Sequence, residues 1–228
     1  MATETVQEVT ALGLAARKAS RKLARLSTED KNRVLLNLAG LLRSDQAGVL
    51  AANAEDYQEA KADGLDESLL DRLLLTSERL NGTADELQRV AELPDPIGEV
   101  IETSSLPNGL IASRRRVPLG VVGSIYESRP NVTVDIFGLC LKSGNACILR
   151  GGKETIRSNT ELVALLRKAL TDAGVTTDAV QFLDNPDRAL VDAMLKMDQY
   201  IDLLVPRGGA SLVKFVAENA TMPAVTGG

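Results

Sequence analysis

The sequence contains no histidine and no tryptophan, holds two cysteines, and has aromatic residues at only 3% of its 228 positions. Each scarcity closes off a class of function. Without histidine the chain cannot form a Ser-His-Asp triad, a His-assisted cysteine nucleophile or a His-ligated metal centre, and no metal site is expected. Cys140 and Cys147 are too few for a disulfide framework, and no signal peptide or long apolar span precedes them. A reducing, cytoplasmic setting is therefore expected. With so few aromatics the core must be built from Leu, Val, Ile and Ala, which suits helices on a parallel sheet better than an all-β sandwich.

What is present describes an ordinary globular chain. The hydrophobic fraction is 44% and the charged fraction 25%, enough for a real core and one large domain or two small ones. Net charge is −5 with both signs interspersed, which lacks the clustered basic surface that nucleic acid requires. The one tight basic run, Arg114-Arg115-Arg116, reads as a solvated strand edge.

The first ninety or so residues carry helical periodicity. In residues 5–26, Val6, Val9, Leu12, Ala16, Ala19 and Leu23 recur at three- and four-residue spacing. Ser27 followed by Asp30 offers a capping box for a second helix, whose stripe is Val34, Leu35, Leu38, Leu41 and Leu42. Further helices are expected over residues 46–63, ended by Gly64, over 68–75, and over 83–93, stopped by Pro94 and Pro96.

From Gly98 the period changes. Two extended runs, 98–106 and 110–117, flank Pro107-Asn108-Gly109, and Asn-Gly between such runs signals a hairpin because both residues tolerate positive φ. This hairpin is expected to leave the main body. Its edges suit pairing with another subunit, though the pattern is equally that of a simple surface hairpin.

After it, apolar strand runs at 120–126, 146–149, 179–183 and 201–205 alternate with helical stretches at 131–141, 158–173, 188–197 and 210–219. That alternation argues for an α/β fold: a parallel sheet with right-handed crossovers behind a helical N-terminal layer. Residues 221–228 have loop composition and end on Gly-Gly with no element after them, as a chain cut in mid-loop would.

Ligands of open parallel sheets bind at the carboxyl ends of the strands. The residues there are Glu127-Ser128-Arg129-Pro130-Asn131, Arg150-Gly151-Gly152-Lys153-Glu154, Asp184-Asn185-Pro186-Asp187 and Pro206-Arg207-Gly208-Gly209. Two of the four loops share one design, an Arg, a Gly-Gly pair and a helix start. Glycines let the backbone approach a phosphate, helix N-termini attract anions, and Arg offers a planar fork. Arg150 with Lys153 suits the ribose phosphate of a dinucleotide, and Arg207 with Gly208 and Gly209 suits a pyrophosphate or nicotinamide. Ordinary strand-to-helix turns also use glycine. Neither G-x-G-x-x-G nor the Walker pattern occurs, so motif alone identifies neither an ordinary Rossmann dehydrogenase nor a P-loop ATPase.

The run from Arg116 to Gly123, continuing through Tyr126-Glu127-Ser128-Arg129-Pro130-Asn131-Val132-Thr133, resembles the γ-glutamyl phosphate reductase family of the aldehyde dehydrogenase superfamily. The likeness extends through Leu141 to Ala146, Leu149 to Glu154 and Ile201 to Gly209. It implies NADPH-dependent reduction of L-glutamyl 5-phosphate to glutamate 5-semialdehyde and phosphate in proline biosynthesis. It implies a small-molecule acyl phosphate substrate, no nucleic acid or membrane partner, and a homo-oligomeric full-length form. The implied organisation is a cofactor domain over residues 1–97 and 118–228, with an oligomerisation-type hairpin at 98–117. Cofactor contacts are expected from Arg150, Gly151, Gly152, Lys153, Pro206, Arg207, Gly208 and Gly209, and substrate or phosphate contacts from Ser128, Arg129 and Asn131. In such reductases a segment like residues 222–228 leads to the nucleophilic cysteine and a catalytic domain, so this chain is expected to be an inactive fragment with no catalytic residue of its own. Cys140, in an apolar helix, and Cys147, in an apolar strand, are expected to be structural. The alternative is a non-catalytic nucleotide-binding or subunit-association module.

Overall fold

Ser27 is extended and its hydroxyl accepts from the Asp30 N–H at 3.1 Å, so the second helix starts where the capping pair placed it. The structure, a computed structural model, describes residues 2–225; Thr226 to Gly228 and the side chain of Val6 lie outside the described residues. Five helices come first: α1 (Ala2–Leu23), α2 (Thr28–Ser44), α3 (Gln46–Ala62), α4 (Glu67–Leu73) and α5 (Ser77–Glu92). α5 begins at Ser77 rather than at the expected 83 because Thr76 caps it, accepting from the Arg79 N–H at 3.2 Å. Gly82, within the added turns, is exposed; its cost of about 1 kcal/mol is outweighed by burial of Leu80, Ala84 and Leu87.

β1 (Val100–Ser105) and β2 (Ile111–Arg115) form the expected antiparallel hairpin, turned at Gly109 with φ +84°. Every residue of both strands is exposed, and neither joins the main sheet.

The main sheet contains β3 (Val121–Tyr126), β4 (Ala146–Arg150), β5 (Val180–Phe182) and β6 (Leu203–Arg207), all parallel, in the order β5-β4-β3-β6. α6 (Asn131–Lys142) and α7 (Ile156–Asp172) make the crossovers outward from β3. The chain then returns through α8 (Arg188–Met194) to β6 on the other side of β3, and α9 (Ala210–Asn219) follows. Right-handed crossovers put α6 and α7 on one face, with α2, α3 and α5 packed outside them, and α8 on the other face beside α1. The strands are apolar throughout because both faces are covered: all six residues of β3 are buried.

Boundaries near the end of the sheet also differ from the sequence reading. β6 runs to Arg207, through Pro206. The Leu204 N–H points outward, to the Pro223 carbonyl at 2.9 Å, so the N–H that Pro206 lacks two residues on would also face outward and costs β3 nothing. The terminal run, expected as loop, lays Ala224 in a parallel bridge beside Leu204.

Buried polar groups tie the layers together. Asp56 of α3, 2% exposed, accepts from both the N–H and the hydroxyl of Ser158 at the start of α7. Lys31, equally buried, donates to Asp95 at 2.8 Å, and Arg17 of α1 bonds Asp202 at 2.6 Å, clamping α1 to the sheet. Cys140 and Cys147 are both buried; the Cys140 thiol beside it and the loss of solvent push the Cys147 thiol well above its usual range.

Candidate functional site

The sheet order reverses between β3 and β6, and at that reversal the carboxyl ends of the strands open a crevice. The residues that follow β3 divide it. Tyr126 is buried, its hydroxyl 2.6 Å from that of Thr133, which in turn reaches Asn159. The Glu127 N–H donates to the Arg207 carbonyl, and its carboxylate accepts from the Gly209 N–H at 2.9 Å. Ser128 has a left-handed backbone, φ 42°, held by its own N–H and hydroxyl bonding Glu154 Oε1 at 2.8 and 2.7 Å. Ser128 is thus buried against Glu154, while half-buried Arg129 lines the crevice. The Asn131 amide donates to Asp135 at 3.1 Å. Burial, then the negative charge of Glu86, push the Asp135 carboxyl up to about 6, against the opposing pull of Arg207.

Arg150, at the end of β4, gives one nitrogen to the Gly151 carbonyl at 2.7 Å and another to that of Pro186 at 3.2 Å. Its Nε is buried without a partner, and burial lowers the guanidinium pKa. The glycines beside it are set by packing. A Cβ on Gly151 would strike the Asn159 amide and the Thr155 hydroxyl, and one on Gly152 would strike the Glu154 carboxylate. Lys153 is exposed in a short 3-10 turn and borders a small depression with Asp56, Glu59, Asp63 and Arg157. It does not line the cleft that Arg150 lines. The helix N-terminus after this loop is also engaged, since Asp56 takes the Ser158 N–H.

Arg207 sits at the end of β6, exposed, with Gly208 and Gly209 behind it. A Cβ on Gly208 would meet the Glu127 carboxylate and Leu212, whereas one on Gly209 would find nothing nearer than 3.7 Å.

Two cavities result, sharing Glu127 as a wall. One of about 450 Å³ lies between Tyr126, Arg150, Arg188, Leu212 and Phe215. The other, about 510 Å³, is lined by Arg72, Arg129, Arg207, Gly208 and Gly209 among others. Arg72, Arg129 and Arg207 make no ion pair among the described residues. Sequence reasoning missed Arg72, Arg188, Leu212 and Phe215. Arg188 follows a strand-end loop and could have been weighed; Arg72 comes from the helical layer and carries no local signal.

The profile of the aldehyde dehydrogenase family matches residues 1–226. The chain belongs to that family. It is 56% identical over 217 residues to a gamma-glutamyl phosphate reductase of Escherichia coli O1:K1, a match covering 95% of this chain and 52% of that protein. The crystal structure of gamma-glutamyl phosphate reductase from Thermotoga maritima superposes with a TM-score of 0.93 at 40% identity, over 95% of this chain and 52% of that one. The enzyme of the same name from Saccharomyces cerevisiae gives 0.89 at 33% identity, over 95% and 55%. The chain therefore spans about half the length of the relatives it matches. Among the described residues no helix is long and apolar enough to cross a membrane.

Family and fold imply a nicotinamide cofactor. The cleft at Arg150 fits such a group: Val191, Leu212 and Phe215 give an apolar wall for a flat ring, while Arg188 lies close enough to bear on the Arg150 charge. The buried, unpartnered Nε adds a donor awaiting an acceptor.

Proposed function

We propose that this chain supplies the cofactor-binding half of an NADPH-dependent reductase that converts L-glutamyl 5-phosphate to glutamate 5-semialdehyde and phosphate in proline biosynthesis. The observation that carries the reading is the 56% identity, along 95% of the chain, to relatives named gamma-glutamyl phosphate reductase. In this reading residues 1–97 and 118–228 are one cofactor domain and 98–117 an arm for self-association in a cytoplasmic homo-oligomer. The exposed Leu110, Ile111 and Val117 of that arm support its part.

Arg150 and Arg188 take the ribose phosphate that distinguishes NADPH from NADH, by charge-assisted bonds. Arg207 and the open side of Gly209, following Pro206, face the nicotinamide end of the cofactor, with Gly208 packed against Glu127 and Leu212. Gly151 and Gly152 act by shaping the turn that aims Arg150, and Lys153 acts through its charge at a distance. The bound cofactor supplies the hydride. Arg129 and Asn131 face the substrate, with Asp135 fixing the Asn131 amide, and Ser128 sets the loop through Glu154. A thiolate nucleophile is required, and neither Cys140 nor Cys147 serves, because both are buried. That burial favours the second reading for the 228 residues in isolation, a nucleotide-binding module without turnover.

The test is NADPH formation from glutamate 5-semialdehyde, phosphate and NADP, the reaction run backwards. A protein of the relatives' full length carrying this sequence as its first half is expected to turn over, and the 228-residue chain is not. No turnover by the longer protein, or turnover with NAD at the same rate, would contradict the proposal.

A further inference from the structure

Beyond the two cavities at the strand ends lies a third, of about 320 Å³, between α4, α5 and the start of α6. Arg72 and Arg129 line both it and the cavity of Arg207, so the two spaces meet at these side chains. What distinguishes the third is mixed charge. Its lining includes Asp71, Arg79 and Glu86 as well as Asn131. Some of these groups are committed. Arg79 bonds Asp71 at 2.6 Å and the Leu74 carbonyl at 2.8 Å, which fastens α4 to α5. Glu86 is not committed in this way: among the described residues its one ion pair, to Arg89, is long at 3.8 Å and exposed on both sides.

Unpaired Arg72 and Arg129 therefore face a loosely held Glu86 across one depression, with the Asp135 carboxyl behind Asn131. A phosphate there would gain from the arginines and lose to the carboxylates. A group carrying a carboxylate and an ammonium on one carbon satisfies both signs at once. We propose that this depression binds the zwitterionic head of an α-amino acid, with Arg72 and Arg129 on its carboxylate and Glu86 on its ammonium. The proposal rests on the substrate reading above and deepens it. The head group lies beneath α5, the side chain passes the shared wall of Arg72 and Arg129, and the terminal phosphate reaches the cavity of Arg207, where Glu127, the one lining carboxylate among the described residues, is held by the Gly209 N–H.

The probe is 2-amino-6-phosphonohexanoate, a stable analogue of matching length, compared with 6-phosphonohexanoate, which lacks the ammonium. Each is titrated calorimetrically into the 228-residue chain and into its Glu86→Gln and Arg72→Ala variants, with NADPH titrated separately into all three. The parent is expected to favour the amino compound about tenfold, as one charge-assisted bond to a head group allows. Glu86→Gln should bring that preference close to one. Arg72→Ala should weaken both compounds about tenfold, and NADPH affinity should be the same in the parent and in Glu86→Gln. Equal binding of the two compounds by the parent, no binding of either, a preference that survives Glu86→Gln, or full affinity in Arg72→Ala would each overturn the proposal. A failure of the cofactor reading would show instead as absent NADPH binding, with the preference for the amino compound intact.

Discussion

Arg150-Gly151-Gly152 and Arg207-Gly208-Gly209 read alike and end the two strands that flank β3, yet their surroundings differ. At β4 the glycines are crowded by the chain's own side chains, Asn159, Thr155 and Glu154, and the following helix start is capped by Asp56. At β6 the loop is exposed, and although Gly208 is crowded by Glu127 and Leu212, Gly209 has open space beside it. The first loop is built to hold an arginine in place, and the second leaves one face accessible at Gly209. A glycine pair after a strand thus has two distinct causes, close packing from within and close approach from without.

Substitutions in the two loops should separate these causes. Gly151→Ala should cost about 3 kcal/mol in chemical denaturation, because its Cβ meets buried side-chain atoms with no room to retreat. A loss under 1 kcal/mol would mean that the β4 loop is as open as its counterpart. The β6 side carries a pH signature that the β4 side lacks, through Asp135 near Arg207. Its folded-state pKa of about 6 lies above the usual 3.8, so the folded chain holds the proton more tightly than the unfolded one. Stability from this group is present below about pH 4 and is lost as pH rises to about 6. Asp135→Asn should remove that slope and stabilise the chain at pH 8 by roughly 2 kcal/mol, and an unchanged slope would contradict the assignment. Glu154→Ala should cost about 1.5 kcal/mol, since it frees two buried donors of Ser128. Glu127→Ala, which frees one exposed Gly209 N–H, should cost less in the same denaturation series. Gly209→Ala should change stability by less than about 0.5 kcal/mol while weakening NADPH binding, read by calorimetry. Unaltered NADPH affinity would remove the β6 loop from the cofactor site.

The sequence made some of this visible and hid the rest for physical reasons. The capping box at Ser27, the Asn108-Gly109 hairpin and the strand–helix alternation are local, and local chemistry sets them. The start of α5 was missed because the Thr76 cap sets it, six residues before the expected start, and the exposed Gly82 within those turns costs little beside the helix's buried face. Pro206 hid the end of β6, because whether a proline fits a strand depends on which side its absent N–H would face. At the site, Arg150, Arg129 and Arg207 were legible from their place after strands. Their partners were not. Arg188 and Arg72 reach the crevice only through tertiary packing, and Ser128 turns away from it because Glu154, distant in sequence, claims its hydroxyl. Lys153 shared a loop with Arg150 and still faces a different depression, since the short turn after Gly152 directs it toward α3.

The central claim is that the cleft between Arg150 and Arg188 recognises a phosphorylated nicotinamide dinucleotide, and calorimetric titration of the 228-residue chain with NADPH and NADH tests it most directly. The account predicts that NADPH binds at least about tenfold tighter, as added charge-assisted bonds to a phosphate would give, and that the Arg150→Ala, Arg188→Ala double variant loses the difference. Equal affinities in the parent chain, or a preference that survives in the double variant, would contradict it.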